Sequence, residues 1–209
     1  EAGLIQPKYI AVAGNMGSGK STLVEFICHH FKLDPFFEPN ANNPYLVDFY
    51  ADMKGWGFHS QVYFLTHKFR IHQELGLQRK HRTVVQDRTI YEDAEIFATN
   101  LYRRHLINKR DWKMYEDLYQ TILNAIEPPD LMIYCKCSLR TVRKRIKERG
   151  RPEEQKIPVH YLRTLHNMYE EWRASYKRSP IIDLDTEKLD YLSDLVYRAD
   201  VLKTIEKHV

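Results

Sequence analysis

Nine consecutive residues combine glycines, a lysine and hydroxyl side chains in a pattern that suits phosphate chemistry. They satisfy G-x-x-x-x-G-K-[ST] between an apolar and a helical segment, and they are Gly14, Asn15, Met16, Gly17, Ser18, Gly19, Lys20, Ser21 and Thr22. Glycines let backbone N–H groups surround phosphate oxygens, and the dipole of a following helix favours the negative charge. The pattern predicts a nucleoside triphosphate site, with Lys20 on the β- and γ-phosphates and Ser21 near Mg²⁺. A glycine-rich turn without a ligand is the alternative.

Two carboxylates and a guanidinium group follow two other apolar segments. Glu38 stands in the string FEP, and Asp87 and Arg88 stand in the string DRT. A hydroxyl that attacks a γ-phosphate needs a carboxylate to accept its proton, and the developing phosphoryl charge needs a cation. Glu38 as base and Arg88 as cation would supply both, and Asp87 or Glu38 could approach Mg²⁺ through water. An ion pair that only orders the two strand ends is the alternative.

Short apolar segments alternate with long helical patterns along the chain, and these elements must position the two groups of residues. The predicted strands are residues 9–13, 35–37, 83–86, 131–135 and 181–184. The predicted helices are residues 20–31, 57–77, 91–105, 112–126, 139–148, 161–177 and 189–207. This alternation indicates an α/β fold with a parallel sheet covered on both faces. Ligands bind such sheets at the carboxyl ends of the strands, where both groups lie.

The composition is that of one globular domain. The chain has 209 residues, of which 43% are hydrophobic and 29% charged, so it can bury a core unaided. A net charge of +4, with both signs interspersed, argues against a nucleic-acid-binding arm. Three cysteines form no disulfide framework, and no apolar run approaches the roughly 20 residues of a membrane span. We expect a single domain over residues 1–209 in a reducing cytoplasm, without nucleic-acid or membrane partners.

Two short strings fit a guanine-nucleotide switch protein. Such proteins carry D-x-x-G and N-K-x-D after the phosphate loop, and DMKG at 52–55 and NKRD at 108–111 occur in that order. Each string should follow a buried strand, but DMKG follows VDFYA and NKRD lies between two helical patterns. Because four-residue patterns arise easily by chance, a GTP-binding switch module is the less favoured alternative.

Several motifs together resemble the deoxyribonucleoside kinase family over nearly the whole chain. They are the phosphate loop, FEP at 37–39, YADMKGWGFHSQ at 50–61, DRT at 87–89 followed by Asp93, and RIKERGRPEEQ at 145–155. The resemblance implies ATP-dependent phosphorylation of the 5′-hydroxyl of a deoxyribonucleoside. It also implies a P-loop NTPase fold with a five-stranded parallel sheet in the order 2-3-1-4-5, and a homodimer built from long helices.

The resemblance further implies roles for residues of the acceptor site. Glu38 corresponds to the base on the 5′-hydroxyl, and Arg88 to the cation beside that hydroxyl and the transferred phosphate. Gln61 corresponds to the amide that pairs with the nucleobase, since an amide donates and accepts at once. Tyr50 and Glu154 correspond to the pair that holds the sugar 3′-hydroxyl.

Aromatic walls and a lid complete the implied site. Trp56 and Phe97 correspond to the walls of the base slot, with ordinary core packing as the alternative for each. The segment 145–158 resembles the family's lid, in which Arg145, Arg149 and Arg151 close over the phosphates and open for product release. A solvated, charged helix end is the alternative.

Two departures from the common family pattern concern the base. DRT replaces the more frequent Glu-Arg-Ser, as in the bacterial deoxyadenosine and deoxyguanosine kinase branch, and Lys68 stands where many relatives have arginine facing Asp93. We expect Lys68 and Asp93 at the far end of the base slot, where they suit a base with an exocyclic amine. The expected substrate is a purine deoxyribonucleoside, deoxyadenosine first, with deoxycytidine as a further candidate and thymidine the poorest.

A nucleoside monophosphate kinase such as thymidylate kinase is the nearest enzymatic alternative. It shares the phosphate loop, an Asp-Arg pair after the third strand and an arginine-bearing lid. Its acceptor is already ionised and needs cations, whereas a 5′-hydroxyl needs a carboxylate base. Glu38 therefore favours a nucleoside acceptor. A nucleotide-binding module without turnover is the third class, and it would leave ATP intact when deoxynucleosides are added.

Overall fold

The first strand is apolar throughout, and this property places it at the centre of the sheet. The computed structural model describes residues 8–37, 43–152, 154–188 and 192–207. The strands are β1 (Tyr9–Ala13), β2 (Pro35–Phe36), β3 (Val84–Asp87), β4 (Leu131–Lys136) and β5 (Ile181–Asp185). All five residues of β1 are buried, as expected for a strand that has helices on both faces of its sheet.

Every strand pairing in the sheet is parallel, and the order is β2-β3-β1-β4-β5. The order predicted from the family resemblance is confirmed. Val12 in β1 lies opposite Asp87 at the end of β3, so the Asp-Arg pair and the phosphate loop leave the sheet at the same edge. The register therefore brings two distant parts of the sequence to one place.

Helices cover both faces of the sheet. They are α1 (Lys20–Phe31), α2 (Leu46–Ala51), α3 (Met53–Gln78), α4 (Ile90–Glu92), α5 (Thr99–Arg103), α6 (Lys109–Leu123), α7 (Leu139–Arg149), α8 (Val159–Ser175) and α9 (Leu195–Glu206). A π-helical segment, Asp93–Ala98, joins α4 to α5. Within the described ranges, none of the helices is both long and apolar enough to cross a membrane.

The helix predicted over residues 91–105 differs from the observed structure. The π-helical segment interrupts it, and at the end of that segment the hydroxyl of Thr99 donates to the carbonyl of Ala94 at 2.8 Å. Hydrophobic spacing cannot distinguish such an insertion from a continuous helix, and π segments frequently occur at functional sites. The short helix α2 was also not predicted.

The core lies in two layers because strand side chains alternate between the two faces. Tyr9, Ala11 and Ala13 face a layer that contains residues of α3, α6 and α8. Ile10 and Val12 face a second layer that contains residues of α1 and α9. The sheet is therefore fixed from both sides, and its loops at one edge are free to form a binding site.

The two strings that fit a switch protein are helix N-caps. The side chain of Asp52 accepts a hydrogen bond from the backbone N–H of Gly55 at 3.0 Å, at the start of α3. The side chain of Asn108 accepts from the backbone N–H of Asp111 at 2.9 Å, at the start of α6. Capping satisfies N–H groups that have no partner within the helix. Both strings are thus explained without a nucleotide.

Candidate active site

A cavity of about 330 Å³ opens at the carboxyl edge of the sheet. Its walls come from the phosphate loop, the ends of β2 and β3, α2, α3, the π-helical segment, the segment after α7 and the start of α8. These are the elements that carry the two groups of chemically active residues predicted from the sequence. The cavity is therefore the candidate active site.

The phosphate loop has the conformation that its glycines were predicted to allow. Gly14, Gly17 and Gly19 have φ values of +152°, +74° and +93°. A Cβ atom on Gly14 would lie 2.5 Å from the hydroxyl of Ser18, so a larger residue would clash as well as strain the backbone. Lys20 lines the cavity, and its ammonium group donates to the carbonyl of Asn15 at 3.0 Å.

Ser21 and Asp87 meet at the base of the cavity. The hydroxyl of Ser21 donates to Oδ2 of Asp87 at 2.6 Å. Oδ1 of Asp87 is buried, with no hydrogen-bond partner among the described residues. Mg²⁺ in nucleotide sites usually takes one or two protein oxygens and completes its octahedron with phosphates and waters. This pair of oxygen donors fits that requirement, and the described residues hold no cluster of three or more metal-binding side chains.

Arg88 enters the cavity from a strained backbone. Its φ is +60°, in the left-handed region that costs a residue other than glycine about 1–3 kcal/mol. Its guanidinium carbon lies 4.5 Å from the ring centre of Phe97, and Nη1 donates to the hydroxyl of Tyr169 at 3.2 Å. Strain of this kind persists where the surrounding structure fixes a functional side chain.

Lys68 does not occupy the position predicted for it at the far end of the base slot. Its side chain is fully buried, and Nζ donates to the carbonyl of Arg88 at 2.7 Å and to that of Asp87 at 3.4 Å. Seven residues of helix span about 10 Å, which carries Lys68 past Gln61 and under the end of β3. The prediction is corrected: Lys68 fixes the strained backbone rather than lining the cavity.

His72 lies one turn beyond Lys68 on the same buried face of α3. Burial and, to a smaller extent, the nearby Lys68 cation lower the pKa of His72 to about 4. The imidazole is therefore neutral at neutral pH and packs edge-on against the ring of Tyr9 at 5.9 Å. It adds no second positive charge behind the cavity.

Further polar and aromatic side chains line the same cavity. Gln61 is buried, and its carbonyl oxygen Oε1 has no hydrogen-bond partner within the part of the chain that the structure describes. Asp93 and Phe97, one turn apart on the π-helical segment, line the same cavity. Tyr50 and Glu154 line it as well. A buried amide oxygen without a protein partner is an acceptor available to a ligand.

Trp56 differs from its predicted role as a wall of the base slot. It is 36% exposed and stacks on the ring of Tyr45 at 5.7 Å, and it is not among the described residues that line the cavity. Phe64 and Tyr161, which the sequence analysis missed, supply aromatic wall instead. Phe64 lies three residues after Gln61 on α3, and this helical spacing was the available signal. No local sequence pattern identifies Tyr161 as a residue of the cavity.

Two of the predicted lid arginines line the cavity and share one carboxylate. Nε and Nη2 of Arg149 donate to Oε2 of Glu154 at 3.0 and 2.6 Å. Nη1 of Arg151 lies 3.4 Å from Oε1 of the same residue. Glu154 is buried, whereas both guanidinium groups are partly exposed. The three residues form one connected group at the mouth of the cavity.

Arg145 has a different environment from the other two arginines. Its guanidinium group donates to the backbone carbonyls of Thr186, Lys188 and Gly17, the last two at 2.7 and 3.4 Å. It is not among the described residues that line the cavity, and its predicted closure over the phosphates stays a prediction. The carbonyls of the chain after β5 bind the arginine and tie it to the phosphate loop.

Glu38, the predicted base, lies outside the described residues. Phe37, which precedes it in the chain, lines the cavity and is 40% exposed. The remaining predicted acceptor residues are thus brought together at one edge of the sheet, apart from Lys68 and Trp56.

A family model, curated relatives and a solved structure all indicate the same family. A family model described as deoxynucleoside kinase matches residues 10–209. The chain is 34% identical over 187 residues to a deoxyadenosine/deoxycytidine kinase of Bacillus subtilis, covering 88% of this chain and 85% of that protein. It is 35% identical over 209 residues to a deoxyadenosine kinase of Lactobacillus acidophilus, covering 95% and 94%. A solved structure of deoxyadenosine kinase from M. mycoides with bound dATP has a TM-score of 0.81 at 30% identity, covering 96% of this chain and 99% of that one.

Proposed function

Because the chain belongs to the deoxynucleoside kinase family, we propose that it transfers the γ-phosphate of ATP to the 5′-hydroxyl of a purine deoxyribonucleoside, with deoxyadenosine preferred. One observation carries the proposal. A single cavity contains Lys20 of the phosphate loop and the buried amide oxygen of Gln61, which has no hydrogen-bond partner among the described residues. Phosphoryl transfer needs a donor and an acceptor held together, and this cavity has a polar group for each.

On the donor side, Lys20 binds the β- and γ-phosphates, and the loop N–H groups bind the oxygens around them. Ser21 and Asp87 would hold Mg²⁺, and this ion would neutralise charge that builds up on the phosphates. Arg149 and Arg151 move from the carboxylate of Glu154 toward the phosphates as the site closes. The partial exposure of both guanidinium groups supports this role, because water can solvate them as they leave the buried carboxylate.

On the acceptor side, Glu38 accepts the proton of the 5′-hydroxyl, and Arg88 stabilises the charge of the transferred phosphate. Tyr50 and Glu154 bind the 3′-hydroxyl, and Phe97 packs on the base. The support for Glu38 is its place directly after Phe37, which lines the cavity. The support for Arg88 is its position between Phe97 and the end of β3.

The proposed base preference rests on Gln61 and Asp93. An adenine presents an exocyclic amine and an adjacent ring nitrogen, which suit a carboxylate and an amide. Thymine has no exocyclic amine that can donate to a carboxylate, and the loss of one such hydrogen bond disfavours the wrong ligand by about 1–3 kcal/mol. Relatives named deoxyadenosine kinase and deoxyguanosine kinase support the purine assignment.

The kcat/KM values for the four deoxynucleosides, measured with ATP and Mg²⁺, test this preference. We expect deoxyadenosine to be the best substrate, deoxyguanosine and deoxycytidine to follow, and thymidine to be the poorest by roughly tenfold or more. A wild-type enzyme that phosphorylates thymidine best would overturn the assignment of Asp93 to the base.

We also propose that the enzyme acts in a reducing cytoplasm as a homodimer. All three cysteines are free thiols, which is the usual state in that compartment. The dimer follows from the family resemblance, and sedimentation equilibrium at micromolar concentration would test it.

A further inference from the structure

A buried carboxylate connects the phosphate loop to the acceptor side of the cavity. Glu92 in α4 is fully buried, and its Oε1 accepts from the backbone N–H of Gly14 at 3.1 Å and from the hydroxyl of Tyr169 at 2.9 Å. Its Oε2 accepts from the backbone N–H and the hydroxyl of Thr89 at 2.7 and 2.9 Å. Four donors converge on one side chain, and a carboxylate is the group that can accept from all of them.

Tyr169 extends this network to Arg88. Its hydroxyl donates to Glu92 and accepts from Nη1 of Arg88 at 3.2 Å. The hydrogen bonds therefore run from Gly14, the first residue of the phosphate loop, through Glu92 and Tyr169 to the guanidinium group. The donor site and the acceptor site share one buried polar path.

The backbone of Arg88 is anchored separately from its side chain. Its N–H donates to the carbonyl of Val12 at 2.9 Å, and its own carbonyl accepts from Lys68. A long side chain on a fixed backbone still has several rotamers, and selecting one requires contacts at the guanidinium end. Tyr169 supplies a hydrogen bond there, and Phe97 supplies a ring face.

We propose that Glu92 and Tyr169 are positioning residues for phosphoryl transfer, which hold the Arg88 guanidinium group and the phosphate loop in a fixed relation. This inference rests on the function proposed above. Neither residue is among those that line the cavity within the described ranges, so both act through Arg88 and Gly14. A misplacement of about 1 Å between reacting groups lowers turnover by as much as 100-fold, which makes the alignment of the two sites consequential.

Tyr169→Phe tests the inference, with Tyr134→Phe as the matched control. Tyr134 is also buried, its hydroxyl donates to Glu170 at 2.9 Å, and its ring stacks on that of Tyr169 at 6.4 Å. Each variant removes one buried hydroxyl that donates to a carboxylate. Of these two hydroxyls, the one on Tyr169 also accepts a hydrogen bond from Arg88. We expect Tyr169→Phe to lower kcat for deoxyadenosine roughly 10- to 100-fold. The dissociation constants of ATP and deoxyadenosine, measured by calorimetry, should stay within about twofold of wild type.

Glu92→Gln provides an independent test. Each carboxylate oxygen of Glu92 accepts from two donors. The amide of the variant has an NH₂ group in place of one of these oxygens, so the two hydrogen bonds to that oxygen are lost. Because Glu92 also holds Gly14, we expect a lower kcat together with a raised KM for ATP, a combination that Tyr169→Phe does not share. If Tyr169→Phe does not fold, the kcat of folded Glu92→Gln at saturating substrates decides the question.

The outcomes separate the inference from the function beneath it. The inference is overturned if Tyr169→Phe has the kcat of Tyr134→Phe, or if folded Glu92→Gln has the kcat of wild type. Both ideas are overturned if the wild-type protein transfers no phosphate to any deoxynucleoside. Activity in wild type and in Tyr134→Phe, with loss in the other two variants, supports both.

Discussion

Arg88 shows how one strained residue connects the fold to the chemistry. Its left-handed backbone turns the chain sharply at the end of β3, and this turn directs the side chain into the cavity. The buried ammonium group of Lys68 binds the carbonyls of Asp87 and Arg88 on the other side of the same turn. Stabilising contacts from behind offset the strain, which costs about 1–3 kcal/mol. At this scale, we propose that Lys68 acts by holding the backbone of Arg88 rather than by selecting the base.

Lys68→Met should therefore lower turnover without changing the order of preferred bases. Loss of the ammonium group releases the two carbonyls and lets Arg88 shift, so we expect kcat to fall by a similar factor, roughly tenfold, for every deoxynucleoside. The measurement is kcat and kcat/KM for all four substrates, with Lys80→Met on the surface as the control. A variant that gains thymidine activity relative to deoxyadenosine would instead assign Lys68 to the base slot.

Glu38→Gln should separate binding from chemistry. The amide keeps the size of the side chain but cannot accept the proton of the 5′-hydroxyl, so we expect kcat to fall about 10²- to 10⁴-fold. ATP affinity, measured by calorimetry, should not change. The exposed Glu116→Gln on α6 controls for loss of a carboxylate elsewhere. Full activity in Glu38→Gln would require a different base.

At the scale of elements, the parts with strong local signals were predictable. The strand β1 and the helix α1 have the predicted bounds, because a continuous apolar run and a glycine-rich turn are local patterns. The π-helical segment and α2 have no such pattern. The places of Lys68 and Trp56 depend on how α3 rotates and packs against β3 and α2, which hydrophobic spacing does not determine. Sequence thus predicted which segments form the site better than it predicted where each side chain lies.

Gly17→Ala should distort the phosphate loop, lowering the stability of the protein and its affinity for ATP. Its φ is +74°, and an added Cβ would lie 2.9 Å from the carbonyl oxygen of Val142 in α7. Left-handed strain alone costs alanine about 1–2 kcal/mol, so we expect a lower melting temperature and a higher KM for ATP. The control is Gly76→Ala in α3, where the Cβ meets nothing within 4 Å.

The control variant Gly76→Ala should change the melting temperature in the opposite direction. Alanine is favoured over glycine inside a helix by about 0.5–1 kcal/mol, so Gly76→Ala should raise the melting temperature and leave the KM for ATP unchanged. Equal behaviour of the two variants, followed by thermal melts and initial rates, would mean that Gly17 is not required for the shape of the loop.

At the scale of the whole molecule, strand order creates the site. Because β3 lies directly beside β1, the chain brings Asp87 to Ser21 across a sequence separation of 66 residues. The helix α3 and the π-helical segment pack together on the face where β2 and β3 end, and they close the cavity over that edge. Residues of the phosphate-donor side and of the acceptor side are thus far apart in the sequence, and the parallel sheet fixes the distance between them.

The most direct test is transfer of label from [γ-³²P]ATP to three acceptors in parallel: deoxyadenosine, its 5′-deoxy analogue that lacks the acceptor hydroxyl, and thymidine monophosphate. We predict a labelled monophosphate from deoxyadenosine and no labelled product from the other two, because we assign Glu38 as the base for a 5′-hydroxyl. Label on thymidine monophosphate but not on deoxyadenosine would contradict the assignment and indicate a nucleoside monophosphate kinase.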